Sequence, residues 1–450
     1  MPTTTTTTTP QPPPFRVLIS GAGIAGPALT LALSLLLPPE LKRALSITLV
    51  ERHPTLRNNG QQIDLRGQGV DAMRALGIEA AVRARVVNEP GFRYLDWRGK
   101  QVAYFGSNKT GKGAQTFSAE WEIMRGGLVD VLYEATKGLD GVKYLFGTTV
   151  EGFEQTESGP VRARLSDGTE GEYDLLVGAD GVGSRIRRRM FGDGRPDPLD
   201  PIGMSMALYT IPAAEGDTPD AAWCSLPGKR YYMTRRDRED CLRVYLGYAG
   251  HDEKLKEALR HGTMAERKEA WANVFRHDMH ESWQVPRFLE GLYSPEADDF
   301  YTLEMAQVKL DTWSNGRVVV LGDAAFCPTP LTGMGTSLAL AGAYVMAGEI
   351  ARVCGEKVRE EGANPWDAIP EALKAYEETI RPFVDHVQSM PVKRIVKYAI
   401  PESEWVIRLF HWIAWVIGLF RIDKLAARFA TDDRGPWKLP KYPHLGRFNE

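Results

Sequence analysis

Cysteine is scarce in this chain, net charge is nearly absent, and the most apolar run is short for a membrane span. Four cysteines (Cys224, Cys241, Cys327, Cys354) are scattered through 450 residues. None belongs to a C-x-x-C pair or a Cys/His ligand spacing. That argues against zinc and against a disulfide framework, so the expected setting is reducing and cytoplasmic, with no metal. Lys plus Arg number 55 and Asp plus Glu 58, for a net charge of −3, which offers no bulk attraction to nucleic acid. Residues 1–14 are mostly threonine and proline. They have no basic start and no apolar core, and read as a disordered tail, not a signal peptide.

What is present is concentrated in Phe15 to Arg52. A strand-like run, Arg16 to Ser20, leads directly into Gly21-Ala22-Gly23-Ile24-Ala25-Gly26. An apolar helical run, Ala28 to Leu37, follows, and a second β-rich run, Ile47 to Val50, ends at Glu51. Strand, glycine turn, helix, strand and acid are the order a dinucleotide site requires. Gly21 suits the tight turn, Gly23 lets a pyrophosphate approach the backbone, and Gly26 lets helix and strand pack closely. The helix N-terminus offers bare N–H groups to phosphate. Glu51 can accept the ribose hydroxyls, and an acid there disfavours a 2′-phosphate, so FAD or NAD fits better than NADP. Arg52 is placed to lie beside the pyrophosphate; a solvated surface arginine is the alternative.

Further along, Gly91 to Phe105 reads as a hairpin turning at Trp97–Lys100. Arg125 opens a helix running to Thr136, where it could reach a phosphate or ribityl oxygen. Val142 to Phe146, Val150 to Gln155 and Val161 to Leu165 read as a three-stranded meander. A buried strand then ends at Asp180-Gly181; Asp180 is either a site carboxylate or a cap on the next helix. Residues 201–299 change character, with antiparallel strands suited to a substrate wall. A third strand, Gly316 to Leu321, runs into Gly322-Asp323-Ala324-Ala325, then Gly333-Met334-Gly335 and a long small-residue helix, Thr336 to Val353. That helix end would stabilise negative charge, and Asp323 could bond a ribityl hydroxyl or merely cap. The expected class is α/β. A discontinuous Rossmann-like domain (15–200 and 300–365) carries an antiparallel sheet domain (201–299) and a C-terminal helical region with a tail (366–450).

The three landmarks, Gly21–Gly26 with Glu51-Arg52, Gly178–Gly181, and Gly322–Ala325 with Gly333–Gly335, occur in this order. Together they resemble the single-component FAD-dependent aromatic hydroxylases, similar to p-hydroxybenzoate hydroxylase and the tetracycline-inactivating monooxygenases. The resemblance implies FAD on the first motif, with Asp180 and Gly181 near the pyrophosphate. It also implies Asp323 on the ribityl chain, with Arg52 and Arg125 as further contacts. By the same resemblance, NADPH or NADH reduces FAD, and oxygen reaches an aromatic or polyketide-like small molecule through a flavin C4a-hydroperoxide. Many members have His, Gln and Asn where this chain has Phe326, Met334 and Ser337, which implies a more apolar flavin surround. No catalytic base can be named. Tyr232, Arg235 and Tyr245 lie on candidate wall strands, where sheet structure or surface exposure explains them as well.

A flavin reductase or oxidase on the same scaffold, or a protein that holds FAD without turnover, stays open. A halogenase fits less well, because G-W-x-W-x-I-P is absent. In the C-terminal region Ala368 to His386 reads as a helix interrupted at Pro382. Trp405 to Phe420 contains Arg408 and His411 and is short for a span of about 20 residues. It can be a helix packed on the domains, a peripheral membrane contact, or a span. Asp432 to Glu450 reads as an extended tail, and oligomeric state is open.

Overall fold

Phe15–Ser20 lies inside a parallel sheet, which explains why its run is apolar at nearly every position and not alternating. The computed structural model describes residues 13–57, 60–107, 120–156, 159–192, 196–276, 282–358, 363–420 and 435–442. The sheet order is Ser314–Asn315, Val318–Val320, Leu175–Gly178, Phe15–Ser20, Leu45–Glu51, Val142–Phe146. Only the first pair is antiparallel. All three landmark loops leave the carboxyl ends of adjacent strands of this sheet, which is where open α/β sheets bind ligands.

The helix Ala25–Leu36 starts three residues earlier than its apolar run suggested and is buried almost all round. It packs on Gly335–Lys357, the one described helix long and apolar enough to cross a membrane. That helix lies in the core, and its small residues are contact points. A Cβ on Gly342 would stand 3.1 Å from both Leu321 and Phe326, and one on Gly348 would be 2.1 Å from the Tyr442 ring.

A second, seven-stranded sheet runs Tyr301–Val308, Leu199–Pro212, Cys241–Tyr248, Arg230–Arg235, Ala221–Leu226, Gly91–Leu95, Gln101–Gly106. The expected hairpin therefore belongs to this sheet, not to the first domain, and the sheet takes chain from outside 201–299. The expected meander is displaced by one strand. Val142–Phe146 pairs in parallel with Leu45–Glu51, and the three-stranded sheet is Val150–Gln155, Val161–Leu165 and Glu170–Tyr173. A parallel edge strand needs no hairpin partner, so local turn spacing misassigned it.

Pro382 does not interrupt its helix, which runs Ile369–Gln388. The described part of the tail is extended but docked. Trp437 stacks on Phe383 with centroids 4.9 Å apart, and the Tyr442 hydroxyl donates to Glu349 at 2.8 Å. The expected disordered segment lies outside the described residues except for residues 13 and 14.

Candidate active site

One cavity of about 730 Å³ is lined by both glycine turns, by Asp180 and Gly181, and by the second sheet. At the first turn, the Gly21 N–H donates to the Val50 carbonyl at 2.8 Å, closing the strand end. A Cβ on Gly21 would lie 2.4 Å from the Ala179 carbonyl oxygen, and one on Gly26 only 2.1 Å from the Gly21 oxygen. Both glycines are therefore demanded by protein packing. Gly23 differs: a Cβ there meets only Arg125 Nη2, at 3.4 Å, and its open side faces the cavity.

Glu51 closes the turn by accepting the Ala22 N–H and the His53 N–H, each at 3.0 Å. Glu51 also lines the cavity. Arg52 also lines the cavity and is exposed at its rim. Arg125 leans over the turn and donates to the Arg57 carbonyl at 3.3 Å. Burial pushes its guanidinium down from its usual range, and the neighbouring Arg57 adds to this.

Asp180 does both things the sequence allowed. Its Oδ2 accepts from the Arg185 N–H at 2.8 Å, capping Arg185–Met190, while Oδ1 is buried with no hydrogen-bond partner among the described residues. That oxygen suits a hydroxyl or a water, not a phosphate oxygen, because like charges repel. Asp323 is open to the cavity and enclosed by protein elsewhere. Burial pushes its carboxyl up, against the Cys327 thiol and Arg125. Gly333 is left-handed, at φ +64, and sits over the Asp64–Arg66 pair, which is 2.7 Å apart. Gly335 opens the long helix with its N–H end at the cavity. Thr329 holds φ +76, a strained conformation for a β-branched residue, on the same lining.

Phe326, Met334 and Ser337 do not line the cavity, so the expected apolar flavin surround is not built from them. Phe326 packs on Trp313 with centroids 4.9 Å apart, and the Ser337 hydroxyl accepts the Arg66 N–H at 3.0 Å. Apolar surface comes instead from the second sheet. Tyr231, Met233 and Arg235 alternate along one strand and face the cavity, together with Trp223, Met206 and Met305. Trp223 stacks on Tyr231 at 3.8 Å, in space left by Gly247.

Strand alternation removes Tyr232 from the candidates, because its side chain points to the opposite face and packs on Phe288. Tyr245 is also off the lining. It lies beneath the lining, and its hydroxyl accepts the Gln62 N–H at 3.4 Å. Of the three candidates only Arg235 reaches the cavity. It stands 3.6 Å from Glu89 and 3.9 Å from Glu122, both buried. Burial would lower the guanidinium, but the two carboxylates overcome this and raise it. One guanidinium cannot neutralise two buried carboxylates, and burial pushes the Glu89 carboxyl up to about 7.

Sequence reasoning also missed Arg187, which is fully buried. It donates to the Ala324 carbonyl at 2.9 Å, to the Val182 carbonyl at 2.6 Å and to Asp197 at 2.7 Å, tying the second and third landmarks together. One arginine among the four of Arg185–Met190 has no signature that distinguishes it.

The open backbone at Gly23, the acceptors Glu51 and Asp323, and the unpartnered Asp180 oxygen fit a dinucleotide lying along this cavity. The class so defined is an FAD-dependent oxidoreductase, and the chain belongs to the FAD binding domain family, which matches residues 15–388. It is 42% identical over 442 residues to the flavin-dependent monooxygenase eupH of Phoma sp, covering 96% of this chain and 98% of that protein. It is 38% identical over 441 residues to the FAD-dependent monooxygenase asL4 of Sarocladium schorii, with the same coverage of each. Among solved structures, tetracycline destructase Tet(55) superposes with a TM-score of 0.73 at 23% identity, covering 95% of this chain and 99% of its own.

Proposed function

We propose that the protein is a monooxygenase that uses NADPH or NADH and oxygen to hydroxylate or epoxidise a lipophilic aromatic or polyketide-like small molecule. The observation that carries this reading is that one cavity joins the nucleotide turn to a wall of Trp223, Tyr231, Met206, Met233 and Met305. Such a wall takes an apolar ring, and stacking on Trp223 and Tyr231 suits a flat one. The named activities of the relatives from Phoma sp and Sarocladium schorii support the same reaction class.

In this reading Glu51 accepts the ribose hydroxyls, Gly23 admits the pyrophosphate, and Arg52 and Arg125 offset its charge. Asp323 and the free oxygen of Asp180 accept hydroxyls or water, and Gly181 leaves open space beside them. The N–H groups at Gly333 and Gly335 favour negative charge at the ring end. When bound, FAD supplies the redox and oxygen chemistry. The protein contributes the apolar wall of Trp223, Tyr231, Met206, Met233 and Met305, and Arg235 orients an oxygen substituent of the substrate at the polar end of that wall. Only one strand–glycine turn–helix unit of the dinucleotide type occurs in the sequence, so the nicotinamide reaches the same cavity without a domain of its own.

Purified protein should be yellow and should oxidise NADPH or NADH faster when a phenolic candidate is added. Oxygen-18 gas should label the product with one atom. Substrate-stimulated reduction that yields unlabelled product or only hydrogen peroxide would assign it instead to the reductases or oxidases. Protein that binds FAD but shows no stimulated turnover across the screen would favour a non-catalytic holder.

A further inference from the structure

The helix Glu404–Leu419 covers the edge of the second sheet with a narrow inner stripe. Ile407 is buried, His411 stands edge-on to Tyr94 at 5.1 Å, and Gly418 lies over Ala103. Its outer face carries Trp405, Leu409, Trp412, Ile413, Leu419 and the adjoining Phe420, with exposures from 40% to 78%. These recur at helical spacing, so a single continuous face is apolar. The only charged side chains on the helix, Glu404 and Arg408, pair with each other at 2.7 Å in its first turn. Exposed apolar faces of this kind mark interaction sites.

We propose that this face docks the enzyme in the plane of an anionic lipid bilayer. Three features favour lipid. The face is rich in tryptophan, and the indole N–H groups of Trp405, Trp412 and Trp415 make no hydrogen bonds among the described residues, which leaves them for headgroups. The preceding helix, Val392–Ala399, exposes Tyr398 and Ile395 beside Arg394 and Lys397. Residues 391–420 carry four Lys or Arg against two Glu, in a chain whose net charge is −3. The helix has 16 residues, a length of about 24 Å. That is shorter than a bilayer core of about 30 Å, so it lies in the surface and does not cross it.

The position has a consequence that rests on the proposed function. Val392, Val396 and Ile400 pack against Met206, Tyr231 and Met305, the same side chains that wall the cavity. A substrate dissolved in the bilayer would therefore arrive one helix away from its pocket.

The test is flotation of the purified flavin-loaded full chain with phosphatidylcholine vesicles, with and without phosphatidylserine. Wild type should float with both, more strongly with phosphatidylserine and less at high salt. The triple variant Trp405→Ser, Trp412→Ser, Phe420→Ser should partition at least about tenfold more weakly. Its flavin content and melting temperature should be unchanged, because these side chains touch the solvent and not the core. Wild type that never floats overturns the proposal. So does a concentration-dependent dimer that the triple variant dissociates while neither protein binds vesicles, since the face would then cover a second copy. Flotation does not read turnover, so its outcome is separate from that of the monooxygenase assay.

Discussion

Gly23 and Gly26 occupy the same glycine turn, yet substitution should separate cofactor binding from folding. At Gly23 an added Cβ contacts only the end of the Arg125 side chain, at 3.4 Å. The backbone there is not left-handed, so Gly23→Ala should leave the flavin-free fold intact or stabilise it by about 0.4–1 kcal/mol through the unfolded chain. The new methyl would instead project toward the cavity, where the pyrophosphate must approach. Overpacking costs about 1–3 kcal/mol, or roughly 5- to 150-fold in FAD affinity, with Gly23→Val at the upper end. At Gly26 the Cβ would sit 2.1 Å from the Gly21 oxygen and 3.2 Å from Ile19. Backbone must move, so Gly26→Ala should lower the melting temperature even without flavin. The assay is thermal unfolding of deflavinated protein titrated with FAD. Ligand at 100 times Kd stabilises by about 2.7 kcal/mol, and a hundredfold loss of affinity cuts this to about 0.4 kcal/mol at the same concentration. Stoichiometric flavin in Gly23→Val, or a wild-type melt for flavin-free Gly26→Ala, would refute the assignment of the two roles.

The Glu89 carboxyl should make stability pH-dependent. Its folded value, about 7, lies above the ordinary 4.5, so the folded protein keeps a proton that the unfolded chain releases. Stability therefore falls as pH rises between those values, by up to about 1.4 kcal/mol per unit. Glu89→Gln should flatten that slope in urea unfolding at about pH 5 and about pH 7.5, and parallel slopes for variant and wild type would contradict it. Arg187→Ala should strand Asp197 and leave the Val182 and Ala324 carbonyls without their donor. The expected loss is about 3–5 kcal/mol with weaker FAD retention, and Arg187→Lys should not restore it, since a point charge cannot bridge three acceptors. Chemical denaturation and flavin content measure both effects.

The first domain was legible because each of its signals is local. Strand, glycine turn, helix and acid follow one another within Phe15–Arg52, and the structure places Glu51 directly under the turn. The second and third landmarks read equally well, since a strand ending in Asp-Gly or Gly-Asp carries its own punctuation. Non-local pairing was not legible. Val142–Phe146 has turn residues on both sides, as a meander strand would, and only its partner, Leu45–Glu51, reveals the parallel sheet. The hairpin Gly91–Gly106 likewise gives no hint that it joins Ala221–Leu226, which lies more than a hundred residues away. One helix start outside the first domain was also locally readable: Thr263 and Glu266 form a capping box that begins Met264–Phe275 just after Gly262.

Tyr232 and Arg235 were separated by the parity of one strand. In Arg230–Arg235 every residue from Tyr231 onward suits a sheet, and composition alone does not say which face meets the cofactor. Arg235 could have settled it. A guanidinium is costly to bury among apolar side chains unless partners wait for it, so the Arg235 face had to be the one that meets polar groups. If the even-numbered residues are in the apolar core, Tyr231, Met233 and Arg235 share the cavity, as they do. Glu89 and Glu122 were beyond such reasoning. They sit on a loop and on a separate short strand, and they meet Arg235 only because Gln62–Leu65 pairs with Trp121–Met124 beneath the second sheet. Their position beside it also explains why the guanidinium stays fixed at the cavity wall. Moving it out to solvent would leave two buried carboxylates with no counter-charge, a heavier penalty than burying the arginine itself.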